Sequence, residues 1–324
     1  MLYTRREIGK LALASLPAAS IAAFTSPVST QSQSSARFGG LSVGIIAPYS
    51  FPMMGTLDAD ALLKNISQLG LNAVELQSSP VEAYAGAPLP PPRSVPFAQG
   101  AQQAGRERLR LWRQTAPAAA MEKYRELRKK YEDAGASIQL IKFEDLAADW
   151  PDAEIDYAFT VARTLGCRGI TCEPPLSHTR KLAQFAEKHQ LMLGYHGHTA
   201  VWDSEAFARP ASWEQAFRYS KYNGANIDIG HFTAGNSTSP LPFIRQYHDR
   251  ITNLHLKDRR INNGPNVPWG QGNTPIRDIL QLMKREKYTF MATIELEYAI
   301  PAGSDVMSEL QKCVRFVEEA VVST

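Results

Sequence analysis

The 324-residue sequence has little cysteine, little net charge and no long apolar run, and each shortage removes a class of protein. Cys167, Cys172 and Cys313 are its only cysteines and form no CxxC pair, so a disulfide framework is excluded. The formal charge is +3, and Arg5, Arg6 and Lys10 against Glu7 account for two of those positive charges. The rest of the chain is nearly neutral, with neither the basic patch that nucleic acid requires nor an acidic tail. Neither GxGxxG nor GxxxxGK[ST] occurs, which leaves no phosphate cradle of those types. The most apolar N-terminal stretch, LALASLPAASIAAF, is too short for a stable bilayer anchor, so no integral membrane segment is expected in the mature chain.

That stretch follows TRREIGK, and paired arginines before a mildly apolar region of small residues resemble a twin-arginine export signal. The Ser/Gln-rich STQSQSSARF then reads as a flexible spacer. Residues 1–36 are therefore expected to be signal and spacer, residues 37–324 the folded unit, and the mature protein periplasmic or exported.

From residue 41 onward, short apolar runs alternate with amphipathic ones. The runs LSVGIIA, NAVELQ, SIQLIKF, CRGITCE, LMLGYHGH, ANIDIGH, ITNLHLKD and YTFMATIELE are eight strand candidates, each followed by a helical pattern. Eight β–α units in strict order predict an α/β protein made of a single (β/α)8 TIM barrel, with its active site at the C-terminal strand ends. The Pro/Gly-rich segment after the second strand, residues 78–100, is expected to be a long loop over a binding site.

Chemistry-bearing residues collect at those strand ends: Glu173 after strand four, Asp228 after six, His255 after seven and Glu295 after eight. A lone carboxylate there is ordinarily a helix cap or an ion-pair partner. Four such positions at one rim concentrate negative charge, which calls for a cation. Three carboxylates and one imidazole suit a hard or borderline divalent ion. GYHGH places His196 and His198 on one face, and DIGH sets His231 three residues past Asp228. Lys257 falls in register after His255, Asp258 is placed to orient it or to cap the next helix, and Trp269 sits in a Gly-rich turn with Gln271. Cys172 alternates away from Glu173 and is expected to pack.

From about Gly44 onward the chain resembles the sugar isomerase/epimerase superfamily with xylose-isomerase-like barrels. The resemblance rests on VEL at 74–76, ITCEP, GYHGH, IDIGH, NLHLKD, GQG and IELEY, all in order. It implies Glu173, Asp228, His255 and Glu295 as ligands of Mn2+, with Mg2+, Co2+ or Zn2+ as alternatives. It also implies Glu173 and Glu295 as the proton-transferring pair; the positions of His196, His198, His231, Lys257, Glu75 and Trp269 near the strand ends make them the expected substrate contacts. The implied activity is isomerisation or epimerisation of a free sugar or keto-sugar through an enediolate. A keto-glycoside lyase or hydratase, and a non-catalytic sugar-binding accessory protein, remain alternatives. A small carbohydrate is the expected partner, nucleic acid is not, and the oligomeric state is open, homo-oligomer included.

Overall fold

A computed structural model describes residues 37–91, 99–115 and 118–322. The expected export signal and spacer lie outside them. Eight strands close into one parallel barrel in sequence order: β1 (Val43–Ala47), β2 (Ala73–Gln77), β3 (Ser137–Lys142), β4 (Gly169–Cys172), β5 (Met192–His196), β6 (Asn223–Asp228), β7 (Ile251–Leu256) and β8 (Met291–Ile294). β1 also pairs with β8, which completes the closure.

The helices follow from local signals. In α1 (Ala59–Gln68), the Asp58 carboxylate accepts from Ala61 N at 2.8 Å and caps the first turn, while Ala59, Leu62, Leu63 and Ile66 form the buried stripe. α5 (Asp152–Leu165) stops at Gly166, whose φ of +76° only glycine adopts freely.

Strand alternation sorts two environments. Ile45, Val74, Leu76, Ile141, Ile170, Cys172, Leu193, Ile227, Leu254 and Ile294 belong to the large apolar core. The alternate positions fill the barrel interior in layers. Ala73, Leu140 and Met291 make a small separate apolar cluster. Above it sits a polar layer centred on Glu75, which is 0% exposed. Glu75 accepts from Thr171 Oγ1 (2.5 Å), Asn226 Nδ2 (3.3 Å), Asn253 Nδ2 (2.7 Å) and the His255 Nε2 side (2.6 Å). These partners come from β4, β6 and β7, so the contacts cross the barrel. The apolar inward-facing runs expected beneath the site are thus replaced by a hydrogen-bonded plug, because buried polar groups persist where each finds a partner.

The segment after β2 differs from the expected loop. It begins as α2 (Ser78–Tyr84) and continues after the undescribed residues 92–98 as α3 (Gln99–Gln114), ahead of α4 (Ala118–Asp133). α3 is fixed by a buried ion cluster. Arg113 donates to both Glu82 oxygens (2.7 and 3.0 Å) and to Glu154 (3.2 Å), with its guanidinium 4.7 Å over the Trp150 ring. The remaining helices are α6 (Thr179–His189), α7 (Pro210–Phe217), α8 (Ile229–Asn236), α9 (Leu241–Tyr247), α10 (Ile276–Glu286) and α11 (Val306–Val322). No helix among the described residues is long and apolar enough to cross a membrane.

Candidate active site

At the C-terminal mouth, β5 to β8 bring together His196, Asp228, His255 and Glu295. Ligand-capable atoms of His196, Asp228 and His255 all lie within 4.8 Å of one another, and Glu295 Oε2 is 2.8 Å from His255 Nδ1. All four residues are buried. Asp228 does cap α8, with Oδ1 accepting from His231 N at 2.7 Å, but Oδ2 is left over for the site. The helix begins there because Gly230 allows close passage: a Cβ on it would come within 2.6 Å of Lys257 Cγ.

Lys257 Nζ lies 2.9 Å from Asp228 Oδ2 and 3.1 Å from Glu295 Oε2, and it also contacts Glu297. The first two are ion contacts without hydrogen-bond alignment. Asp228 Oδ2 and Glu295 Oε2 are buried with no hydrogen-bond partner, as are His196 Nδ1 and His255 Nδ1. Three of the four are held by ion contacts, His255 Nδ1 with Glu295 Oε2 and Lys257 Nζ with both carboxylates, while His196 Nδ1 has no partner, and together they present nitrogen and oxygen atoms suited to a ligand.

Without an ion the groups of the site charge against one another. Burial opposes a charge on His255, but Glu75 and Glu295 outweigh it and push its pKa up to about 10. Burial likewise opposes ionisation of Glu295, yet Lys257 and His255 hold its carboxyl well below the ordinary range. Burial drives His196 far below the usual imidazole value, and Lys142 and His255 add to the effect. Burial also lowers His231, to about 4, against the pull of Asp228. His231 is wedged between Lys257 Nζ (3.1 Å) and the Arg259 guanidinium (2.7 Å). A second trio, His196, His198 and His231, also converges within 4.8 Å and shares His196 with the first, but it contains no carboxylate.

Glu173 is turned elsewhere. Its Oε1 is 2.6 Å from Lys142 Nζ and its Oε2 is 3.0 Å from His198 Nε2. Burial works against its charge, but His198 and Lys142 hold it far below the ordinary glutamate range. Glu75 sits one layer beneath the mouth, where it fixes His255 Nε2 and leaves Nδ1 facing the site. Trp269 packs edge-on against Phe316 of α11, with ring centroids 5.7 Å apart. Asp258 neither orients His255 nor caps α10. It holds the Gly-rich turn by accepting from Gly270 N (2.8 Å), Gly272 N (2.9 Å) and Thr274 N (3.1 Å). The GQG sequence follows from that contact, since a Cβ on Gly272 would fall 2.1 Å from Asp258 Oδ1.

Sequence reasoning passed over Lys142, Glu297, Asn226 and Asn253. The signal for most of them was present. Thr171, Asn226, Asn253 and Thr293 each stand two residues before Glu173, Asp228, His255 and Glu295, the spacing that puts both on one strand face. Lys142 likewise follows Leu140 in register at the end of β3.

Fold and site together define a closed (β/α)8 protein with His and Asp side chains placed to hold a metal ion at its C-terminal mouth. Residues 63–315 match the xylose isomerase-like TIM barrel family, and the chain belongs to it. The probable 3-DHS dehydratase of Bacillus anthracis is 12% identical, with a TM-score of 0.58 over 85% of this chain and 99% of its own. The IOLI protein, solved with a bound zinc atom, is 12% identical, with a TM-score of 0.57 over 87% and 98%. The 3-keto-D-glucoside 4-epimerase of E. coli, in its apo form, is 10% identical, with a TM-score of 0.56 over 85% and 99%. At such identities the likeness is one of fold. No curated protein matches the chain.

Proposed function

We propose that this protein is a divalent-metal-dependent enzyme that moves a proton next to the carbonyl of a free sugar or keto-sugar, as an isomerase or epimerase does. The observation that carries the proposal is the convergence of ligand-capable atoms of the buried His196, Asp228 and His255 within 4.8 Å of one another, with Glu295 Oε2 2.8 Å from His255 Nδ1. A mixed nitrogen–oxygen set of this kind fits a borderline ion such as Mn2+, Co2+ or Zn2+. When bound, such an ion polarises a carbonyl and its neighbouring hydroxyl and so acidifies the C–H between them.

The chain's own groups do the rest. Glu75 orients His255 through Nε2, the outer partner that a metal-binding histidine needs. Glu173 and Glu295 follow β4 and β8, which lie opposite one another in an eight-stranded ring. Two ionised carboxylates on opposite sides of a substrate carbon can remove a proton from one face and return it to the other. The sequence pattern suggested Glu173 as a ligand. Its contacts with Lys142 and His198 favour proton transfer instead, with Lys142 keeping it ionised. His198, His231 and Lys257 face the same space and are assigned to substrate hydroxyls. The export signal belongs to the same proposal: replacing Arg5 and Arg6 by lysine should retain the protein in the cytoplasm in a fractionation assay.

The test is incubation with free and 3-keto sugars in deuterated water. Metal-loaded protein should place deuterium at one carbon, and Glu173→Gln and Glu295→Gln should each suppress that exchange. Equal exchange by parent and both variants would remove the catalytic assignment, and no exchange with any sugar would favour the accessory binding protein.

A further inference from the structure

Beside the proposed reaction centre, a cavity of about 500 Å³ opens from Glu173 toward the segment inserted after β2. Its size falls within the range of small-molecule sites, roughly 300–1,000 Å³. α2 and α3 supply its outer wall through Ser79, Arg106 and Leu109, joined by Pro90, while Glu144 and Glu173 line the barrel side.

The wall is anchored. The Arg113 bonds to Glu82 and Glu154 tie α3 to α2 and α5, and Arg113 is itself a buried lining residue. The lining is also charge-balanced. Arg113 is committed to its carboxylates, and Lys142 is committed to Glu173. Arg106 is exposed and faces a wall that also carries Glu144 and Asp145. Burial raises the Glu144 carboxyl above its usual range, and it accepts a hydrogen bond from Gln77. A phosphate or carboxylate would find no surplus positive charge here. A neutral polyol finds donors and acceptors on one side and the apolar faces of Pro90, Pro91 and Leu109 on the other.

We infer that the cavity is a subsite for the second ring of a neutral glycoside, so that the substrate is a keto-disaccharide or similar glycoside with Glu173 at the junction of its two halves. The inference rests on the sugar reading above and goes beyond it by naming the part of the substrate outside the reaction centre. Binding energy from a remote ring is available to speed reaction at the near one.

Two probes test it, a 3-keto disaccharide and methyl 3-ketoglucoside, by turnover and by calorimetric affinity. The disaccharide should be preferred in kcat/KM by roughly tenfold or more, the worth of a modest second contact surface. Ser79→Trp, which fills the cavity from a solvent-exposed helix position, should bring the preference near unity. Arg106→Ala should reduce it by a smaller factor. Thermal melts identical to the parent establish that both variants fold. A preference and a disaccharide affinity unchanged in Ser79→Trp would overturn the subsite. Turnover of neither probe by the parent, with disaccharide affinity that Ser79→Trp abolishes, would overturn the catalytic proposal and leave the subsite standing.

Discussion

The two sides of the barrel mouth bury charge in opposite ways. On the side of β2 to β4, Arg113 is satisfied by Glu82 and Glu154, and Lys142 by Glu173. On the side of β5 to β8, equally buried groups are also in ion contact, but three of them, His196, Asp228 and His255, bring ligand-capable atoms within 4.8 Å of one another. Burial of charge is therefore not what marks the site, since both sides have it. The first side is closed, its cations matched to carboxylates, and the second is open in the sense that imidazole and carboxylate atoms converge where an ion could sit.

Emptying the open side should have the largest effect. Asp228→Ala or His255→Ala removes one of the converging donors. Each should reduce bound metal from about one ion per chain to a trace, because a site short of one ligand binds far more weakly. Elemental analysis after dialysis against Mn2+ or Zn2+ measures this, and proton exchange into substrate should vanish in parallel. Retention of a full ion by both variants would place the metal elsewhere.

The closed side should respond in stability instead. Arg113→Ala leaves Glu82 buried without its cation and Glu154 with Arg110 alone, and breaking a buried pair in this way costs about 3–5 kcal/mol. Urea unfolding of the metal-free protein should show that loss, while metal content stays at the parent's level. An Arg113→Ala variant that unfolds like the parent but loses its metal would erase the distinction between the two sides.

How far each side was legible follows from the same contrast. The open side was written in the chain, because each ligand candidate ends an apolar run at a strand terminus where alternation alone fixes its direction. Asp228, His255 and Glu295 needed no tertiary knowledge to be placed at one rim. His196 was legible as a mouth residue, but its place among the donors depends on how the β5 backbone stops at that residue. Trp269 was misleading because the turn that carries it is pulled aside by Asp258. The closed side was harder to read. The buried stripe of α3 is Gly105, Leu109 and Arg113, one glycine and one charged residue among three, so nothing in its sequence marks Arg113 as a core position. Only the acids that meet Arg113 from α2 and α5 make it a core residue, and those contacts span 31 and 41 residues.

Glu75 sits where the two sides meet and gives the smallest but sharpest test. It binds His255 of the open side directly, at 2.6 Å, while Lys142 of the closed side helps His255 hold its carboxyl below the usual range against the opposing effect of burial. Glu75→Gln keeps the shape and an acceptor for His255 Nε2–H but removes the charge. If Glu75 serves the site, metal affinity should fall about 10–100-fold, the usual consequence of losing an outer partner of a ligating histidine. Unfolding of the metal-free protein should change by less than in Arg113→Ala. Combined with His255→Ala, the substitution should add little further loss of affinity, because both act through the same imidazole. Unchanged affinity with a large loss of stability would assign Glu75 to the closed network, with the open side ending at His255.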